Sequence, residues 1–386
     1  MTSRSSSACK RAAAQEPPGT CDVRLVESPA AAEWYITATP GAGTTRRQAE
    51  EMYDQIVGVL RESRARMVQE RLFASADAIS CALAVRAAAL GDLDDGVEPT
   101  LLAPRCPEGQ IVGAQVHAIR GIAGPGVLCS GGGRPQARAF ECDGYRYLTG
   151  SGLCAPERDG GPDQTRLVFE KAEALLAQAG GTLLDIARTW VWMDDIHSWY
   201  GELNQARTRF FTERGLMGAS GRLPASTGIG VSPSGGGRVA LDFFAAWGRE
   251  DAVARFPAAG NQRSACDYGS AFARCSLAKT PGGVTVFCSG TAAIDAAGHS
   301  CFLNDPQGQI RMAVDNVLAV LRDMGCSSDD VVQALAYGAT PAVRDYFLAN
   351  GRHEFPWPCL TMIGDICRAD LLFEIEVTAC PRARKP

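Results

Sequence analysis

The stretch "LLAQAGGTLLDIARTWVWMDD" (175–195) decides the fold, because the chain holds a second copy of it, "VLRDMGCSSDDVVQALAYGAT" (320–340). Each copy reads as an amphipathic helix that ends at a glycine, followed by a short acidic link and a strand. The pairs that keep a constant offset of 145 positions are Gly180 with Gly325, Asp185 with Asp330, Trp192 with Tyr337, and Phe210 with Phe355. A constant order of elements, with loops of changing length, indicates duplication of one unit.

A third and weaker copy of the unit precedes these two. Its first strand is predicted in "EWYITATPG" (33–41) and its first helix in "RRQAEEMYDQIVGVLRESR" (46–64), where apolar residues recur at helical spacing. The next strand, the second helix and the closing strand are predicted in "MVQERLFAS" (67–75), "ADAISCALAVRAAAL" (76–90) and "IVGAQVHAIRG" (111–121). The chain therefore holds three units in a row.

The unit boundaries follow from glycine and proline, which concentrate at 129–138 and 249–264. We expect units over 23–130, 136–250 and 265–384, behind a disordered tail over 1–22. Each unit is predicted to be a mixed sheet covered by two helices on one face, an α+β arrangement. Three units packed sheet-inward would cover the remaining faces. The chain is thus expected to be a monomer that forms an intramolecular pseudo-trimer, with clefts between units as ligand sites.

Composition and charge exclude several classes of function. The net charge of −5 gives no sign of affinity for nucleic acid, although a local basic pocket could still hold an acidic small molecule. No apolar run approaches the roughly 18 residues that would span a membrane. The 15 cysteines form no C-x-x-C pair, so no metal or other cofactor is expected. Without a signal peptide, we expect reduced thiols and a cytoplasmic location.

The strand near the end of the chain, "LLFEIEVTAC" (371–380), carries two acids on one face. Because side chains alternate along a strand, Glu374 and Glu376 share one face and the apolar residues share the other. The acidic face is either wet, as in most half-buried strands, or the wall of a pocket where one carboxyl does chemistry. We take the counterparts of this acid to be Asp242 in the middle unit and approximately Gln115 in the first.

Three longer segments carry a family resemblance: "RTWVWMDDIHSWYGELNQARTRFF" (188–211), "LPASTGIG" (223–230) and "GDICRADLLFEIE" (364–376). With the Ser289-Gly290 pair, they resemble the chorismatases, a branch of the YjgF/RidA superfamily in which three such units, of chorismate-mutase-like fold, are fused. The resemblance covers residues 140–380 well and residues 23–120 only in layout.

The chain departs from ordinary RidA proteins at the arginine of their "PA-R-[ST]" motif. Ser226 holds that place in the middle unit, and approximately Cys359 holds it in the last. A hydroxyl or a thiol cannot bind a carboxylate in the bidentate manner of a guanidinium. The chain is therefore expected to be a poor imine deaminase.

The resemblance implies a cofactor-independent enzyme that cleaves chorismate to pyruvate and 3-hydroxybenzoate, with some 4-hydroxybenzoate. It assigns Glu374 as the general acid that protonates the enolpyruvyl ether, with Glu376 as support or surface. A carboxyl stays protonated at neutral pH when it is buried or lies beside another negative charge. The resemblance further implies that members releasing a hydroxybenzoate carry a cysteine at the position of Cys367, whereas hydrolytic members carry a smaller residue. The candidate substrate-binding residues are Tyr147, Tyr200, Arg207, Ser226, Thr227, Gly228 and Arg368.

Two alternatives stay open. A hydrolytic chorismatase would release pyruvate and a dihydroxycyclohexadiene carboxylate, and only Cys367 speaks against it. A non-catalytic RidA-like protein would bind metabolites without turnover, and the missing motif arginine is compatible with that.

Overall fold

The computed structural model describes residues 19–131, 133–217, 221–351 and 354–381. These residues form three mixed sheets with helices, so the predicted α+β fold of three repeated units is confirmed. Within the described ranges, no helix is both long and apolar enough to cross a membrane.

The first unit begins earlier than predicted. Its elements are β1 (Thr20–Glu27), β2 (Ala32–Thr39), α1 (Thr45–Ser63), β3 (Arg66–Ala74), α2 (Ile79–Leu90), β4 (Thr100–Ala103) and β5 (Ile111–Arg120). The sheet order is β1-β2-β5-β3-β4. β1 pairs with β2 from Thr20 onward, so residues 20–22 belong to a strand and not to a tail. The rest of the predicted tail, residues 1–18, lies outside the described residues.

The middle unit repeats this plan and lends one short strand to the first. Its elements are β6 (Gly126–Cys129), β7 (Pro135–Cys142), β8 (Tyr145–Cys154), α3 (Gly161–Ala179), β9 (Ile186–Met193), α4 (Ile196–Glu213), β10 (Ala225–Ile229), β11 (Ser232–Pro233) and β12 (Val239–Trp247). The sheet order is β10-β9-β12-β8-β7-β6, whereas β11 pairs with β4 of the first unit.

The last unit has the same core plan with a shorter second helix. Its elements are β13 (Val253–Phe256), β14 (Cys275–Thr280), β15 (Gly283–Cys288), β16 (Thr291–Ala292), α5 (Pro306–Asp323), β17 (Val331–Gly338), α6 (Pro341–Tyr346), β18 (Cys359–Ile363) and β19 (Phe373–Ala379). The sheet order is β13-β14-β15-β19-β17-β18, and β16 pairs with β19. Gly180 and Gly325, which end α3 and the turn after α5, have φ angles of 79° and 73°, a left-handed conformation that favours glycine.

Four large hydrophobic clusters among the described residues, beside a small fifth one, show how the units pack. Three of them lie between the helices and the sheet of a single unit. The fourth contains residues of all three sheets, among them Phe73, Trp190, Phe244, Phe287 and Leu335. The sheets therefore face one another, as the predicted pseudo-trimer requires.

Long polar side chains cross between the units in a cyclic pattern. Arg71 on β3 pairs with Asp242 on β12 at 2.9 Å, and Arg188 on β9 pairs with Glu376 on β19 at 2.6 Å. Gln333 on β17, 145 positions after Arg188, donates to two main-chain carbonyls of the first unit at 3.0 and 3.2 Å. The first unit thus reaches the middle one, the middle reaches the last, and the last reaches the first.

Arg71→Met is expected to lower the free energy of unfolding by about 3–5 kcal/mol, because the buried carboxyl of Asp242 loses its cation. Urea denaturation measures the loss. The double variant Arg71→Met/Asp242→Leu is expected to regain part of it, since no charge is then left unpaired. An Arg71→Met protein as stable as the parent would contradict this account of the contact between the units.

Candidate active site

Glu374 and Glu376 are both buried, with 5% and 4% of their surface exposed. They lie on the face of β19 that is turned towards the other units. The alternate residues Phe373, Ile375 and Val377 pack in the core on the helix side. The acidic face of β19 is therefore not exposed to solvent, and the structure supports the interpretation that it is buried against another unit.

The two carboxyls have different surroundings. Glu376 Oε2 accepts a hydrogen bond from Arg188 Nη2, whereas no hydrogen bond or ion pair from the described residues reaches Glu374. Burial, reinforced by the negative charge of Glu376, raises the pKa of Glu374 to about 8, although Arg188 and Arg274 oppose the shift. The Glu374 carboxyl is therefore mostly protonated at pH 7 and can act as a proton donor.

Glu374 faces a cavity of about 720 Å³ between the middle and last units. This volume lies in the range of small-molecule sites. The middle unit contributes α4 and β10, and the last unit contributes the segment before β14, the turn after β15 and the loop before β19. The predicted residues that line the cavity are Tyr200, Arg207, Ser226, Gly228, Cys367, Arg368 and Glu374.

Ser289 and Gly290 join the two units at the floor of this cavity. Ser289 Oγ accepts from the backbone N–H of Ser226 at 2.8 Å and donates to the carbonyl of Ala273 at 2.6 Å. The N–H of Gly290 donates to the carbonyl of Ser226 at 3.3 Å. A Cβ added to Gly290 would lie 2.0 Å from Glu374 Oε1, so only glycine leaves space for the carboxyl.

Two buried arginines, one from each unit, lie near one aromatic ring. The guanidinium carbons of Arg207 and Arg274 lie 6.0 and 5.3 Å from the centroid of Phe272. Arg368 is half-buried, and Arg209 is exposed at the rim. Four arginines and one acid thus line a cavity in a chain of net charge −5. This charge arrangement suits a small anion with more than one carboxylate.

Hydroxyl groups add neutral donors to the cavity. Ser226 Oγ accepts from Thr189 Oγ1 at 2.9 Å, which leaves its own proton for a ligand. Burial raises the pKa of the Tyr200 phenol well above its ordinary value. The phenol therefore stays protonated and able to donate.

Cys367 lines the cavity because its loop is fastened to the middle unit. Gly230 and Asp365 exchange backbone hydrogen bonds of 2.8 and 3.0 Å, and His197 Nε2 lies 2.8 Å from the carbonyl of Ile366. Burial, with a smaller contribution from the charge of Glu374, raises the pKa of the Cys367 thiol to about 12. The residue is therefore a neutral thiol at the cavity wall and not an activated thiolate.

The structure places two predicted binding residues outside the cavity. Tyr147 is 1% exposed and lies in the core between the sheets, stacked on Phe140 at 5.0 Å between ring centroids. Thr227 follows Ser226 on β10, so its side chain points to the opposite face, where Oγ1 accepts from Arg188 Nη2 at 2.5 Å. The prediction that Tyr147 and Thr227 line the substrate cavity is therefore wrong, because each side chain lies on the face of its strand that is turned away from the cavity.

The strand registers also correct the counterpart of Glu374. Tyr337 pairs with Glu374 on β19, and Trp192, 145 positions earlier, pairs with Ala240 on β12. By the same registers, Asp242 corresponds to Glu376, two residues away from the assumed match. Glu374 of the last unit therefore corresponds to Ala240 of the middle unit and has no acidic counterpart there.

Sequence reasoning missed Arg188, Phe272 and Arg274. Arg188 had a usable signal, because it interrupts the apolar strand "IARTWVWM" (186–193), and a charge in a buried strand needs a partner. Phe272 and Arg274 precede β14, outside the strands and helices whose periodicity the sequence reveals.

The described residues hold no group of three or more His, Cys, Asp or Glu side chains placed to bind a metal ion.

Comparisons with known proteins agree with the fold. No protein-family model matches the chain. The RutC family protein YjgH of Escherichia coli (strain K12) is 32% identical over 79 residues, which cover 19% of this chain and 60% of that protein. The match thus spans less than two thirds of this relative's length.

Among solved structures, a chorismatase aligns with 95% of this chain and 100% of its own, at a TM-score of 0.60 and 19% identity. A structure of protein YJGH covers 33% of this chain and 93% of its own, at a TM-score of 0.27 and 25% identity. Rv2704 of Mycobacterium tuberculosis, from the YjgF/YER057c/UK114 family, covers 31% and 98%, at a TM-score of 0.25 and 22% identity. The chain therefore shares the fold of a chorismatase over nearly its whole length.

Gly290→Ala is expected to push the Glu374 carboxyl out of its position and to lower the free energy of unfolding by about 1–3 kcal/mol through overpacking. A crystal structure and urea denaturation measure the two effects. Gly58→Ala, at a position in α1 with no atom within 4 Å of the added Cβ, is the control and is expected to stabilise the protein by up to about 1 kcal/mol. A Glu374 carboxyl unmoved in Gly290→Ala would contradict the packing described here.

Proposed function

We propose that this protein is a chorismatase that cleaves chorismate to pyruvate and 3-hydroxybenzoate, with a smaller amount of 4-hydroxybenzoate. The observation that carries the proposal is the buried Glu374 carboxyl, whose pKa is raised by burial to about 8, in the wall of a basic cavity between two units. The fold shared with a chorismatase and the resemblance of the segments around Glu374 support it.

The cavity suits the chemistry of chorismate, a small dicarboxylate with an enolpyruvyl ether on a cyclohexadiene ring. Arg207 and Arg274 come from opposite units and offer one cation for each carboxylate. Phe272, which lies near both guanidinium groups, offers an apolar surface for the ring. Tyr200 and Ser226 add neutral hydroxyl donors. We assign these five residues to substrate binding, with Arg368 as a further cation at the cavity wall.

The reaction begins with transfer of the Glu374 proton to the methylene carbon of the enol ether. The ether carbon then becomes an oxocarbenium-like centre, and the bond between the ether oxygen and the ring breaks as pyruvate leaves. Pyruvate and hydroxybenzoate together contain the same atoms as chorismate, so the conversion needs no oxidant, reductant or net water. The ring hydroxyl then either moves to the neighbouring carbon that the ether oxygen left, which gives 3-hydroxybenzoate, or stays on its own carbon, which gives 4-hydroxybenzoate. In both cases the ring loses one proton as it becomes aromatic, and the Glu374 carboxylate can accept it and return to its acid form.

Cys367 bears on which product forms. Its neutral thiol lies in the same cavity as Glu374, where it can contact the substrate ring and occupy space that water would otherwise fill. A hydrolytic reaction admits water to the ring and yields the dihydroxycyclohexadiene carboxylate instead. The proposal therefore gives Cys367 a role in product choice and not in proton donation.

Purified protein is expected to convert chorismate to pyruvate and 3-hydroxybenzoate, and Glu374→Gln is expected to lower kcat by at least about 10²–10⁴-fold, because the general acid is lost. Liquid chromatography with mass spectrometry identifies the products. Calorimetry is the control and is expected to show that Glu374→Gln still binds chorismate. If the parent protein binds chorismate or related aromatic acids without consuming any, the protein is a metabolite-binding protein and the proposal fails.

Cys367→Ala is expected to keep chorismate cleavage and to shift the product mixture towards the dihydroxycyclohexadiene carboxylate, because the smaller side chain admits water near the ring. The ratio of the two products in the same chromatographic assay measures the shift. An unchanged ratio would show that Cys367 does not control the outcome, while the assignment of Glu374 would stand.

A further inference from the structure

The Arg188–Glu376 ion pair lies directly beside the proposed proton donor and belongs to two units. Arg188 is 1% exposed and Glu376 is 4% exposed. Arg188 Nη2 lies 2.6 Å from Glu376 Oε2 and 2.5 Å from Thr227 Oγ1, and the guanidinium carbon lies 4.8 Å from the centroid of Trp190. A hydroxyl, an aromatic face and a carboxylate thus hold this guanidinium in one place.

The pair fixes the carboxylate of Glu376 two residues from Glu374 on the same strand face. The guanidinium of Arg188 favours ionisation of Glu374, but it acts less strongly than the Glu376 carboxylate that opposes it. A buried carboxylate is stable only with a cation and hydrogen bonds, and the contact with Arg188 supplies both to Glu376. A neighbouring carboxylate disfavours ionisation of an acid. The charged groups that act on Glu374 are Glu376 on β19, Arg188 on β9 and Arg274 before β14. The other titratable groups that face it are Cys367 in the loop before β19, Tyr200 on α4 and Tyr337 on β17, and the charge of Glu374 acts on each of them. Glu376 is the one carboxyl among all of these groups.

We infer that the Arg188–Glu376 pair, formed when the middle unit docks on the last, positions a fixed carboxylate that keeps Glu374 in its proton-donating form. Glu376 is thus a positioning residue and not a second catalytic acid. The inference rests on the proposed function only in that the proton is used on chorismate. The effect depends on docking because Arg188 belongs to the middle unit, whereas Glu376 and Glu374 belong to the last.

The Arg71–Asp242 pair provides an internal comparison. It is the same kind of buried contact between units, with side chains 6% and 0% exposed, and Asp242 corresponds to Glu376 by strand register. The position that corresponds to Glu374 is Ala240, so this pair has no acid to act on. Loss of either pair disturbs a contact between units, but only loss of the charge on Glu376 changes the protonation of a catalytic group.

The test is the pH dependence of kcat/KM for chorismate in the parent, Glu376→Gln and Asp242→Asn proteins. In the parent, the rate is expected to fall as pH rises through about 8, where Glu374 loses its proton. Without the charge of Glu376, Glu374 ionises more easily. The fall in Glu376→Gln is therefore expected about one pH unit lower, with activity recovered at more acidic pH. Asp242→Asn is expected to keep the midpoint of the parent.

Glutamine keeps the size of Glu376 and can still accept from Arg188, so Glu376→Gln is expected to fold. Glu376→Asp keeps the charge, and its midpoint is expected to stay close to that of the parent even if kcat falls. A uniform loss of activity in Glu376→Gln at every pH, with no shift of the midpoint, would overturn the inference and leave Glu376 a packing residue.

Infrared difference spectroscopy separates this inference from the proposed function. The carbonyl band of a protonated carboxylic acid, identified by its loss in Glu374→Gln, is expected to titrate at about pH 8 in the parent and at lower pH in Glu376→Gln. This readout needs no substrate. A lowered midpoint supports the inference even if chorismate is not turned over, and an unchanged midpoint overturns it even if chorismate is cleaved.

Discussion

Each of the three sheets has one face that its own helices do not cover, and the mutual burial of these faces is the constraint on which the rest of the structure depends. A polar side chain on such a face must find its partner in another unit, because no water is available there. Arg71 and Asp242 satisfy this rule between the first and middle units, and Arg188 and Glu376 satisfy it between the middle and last units. The ion pairs that hold the units together are thus a consequence of how the units pack.

Glu374 is the exception that the same packing produces. It shares the buried face with Glu376, but it opens into a cavity instead of meeting an arginine. A carboxyl in that position avoids the cost of a buried unpaired charge by keeping its proton, which is the state that a general acid requires. Gly290 makes the position available, and the backbone contacts of Ser226 with Ser289 and Gly290 hold the two walls of the cavity together.

The fold offers a comparable cleft between the last and first units, but with different chemistry. A cavity of about 460 Å³ there is lined by Cys359 and Thr361 of β18 and by Arg105 of the first unit, and no acid is among its lining residues. Cys359 pairs with Ala334, and Ser226 pairs with Thr189, 145 positions earlier, so Cys359 and Ser226 are equivalent. The repeated unit therefore provides the place for a site, and the proposed proton transfer is limited to the cleft that holds Glu374.

Features of the fold that leave a periodic pattern in the sequence could be predicted from it. Periodicity and the repeat at 145 positions predicted the three units, and alternation along β19 placed both acids on one face. The direction of single side chains depends on strand registers and loop contacts that no pattern records. For this reason Tyr147 and Thr227 were assigned to the cavity, Asp242 was matched to the wrong glutamate, and Arg274 was missed.

The most direct test of the central claim is a crystal structure of the Glu374→Gln protein with chorismate bound. Intact chorismate is expected in the cavity between the middle and last units, with its carboxylates on Arg207 and Arg274. Its methylene carbon is expected about 3–3.5 Å from the side chain of residue 374. Chorismate bound in another cleft, or bound here with the enol ether turned away from residue 374, would contradict the assignment of Glu374 as the proton donor.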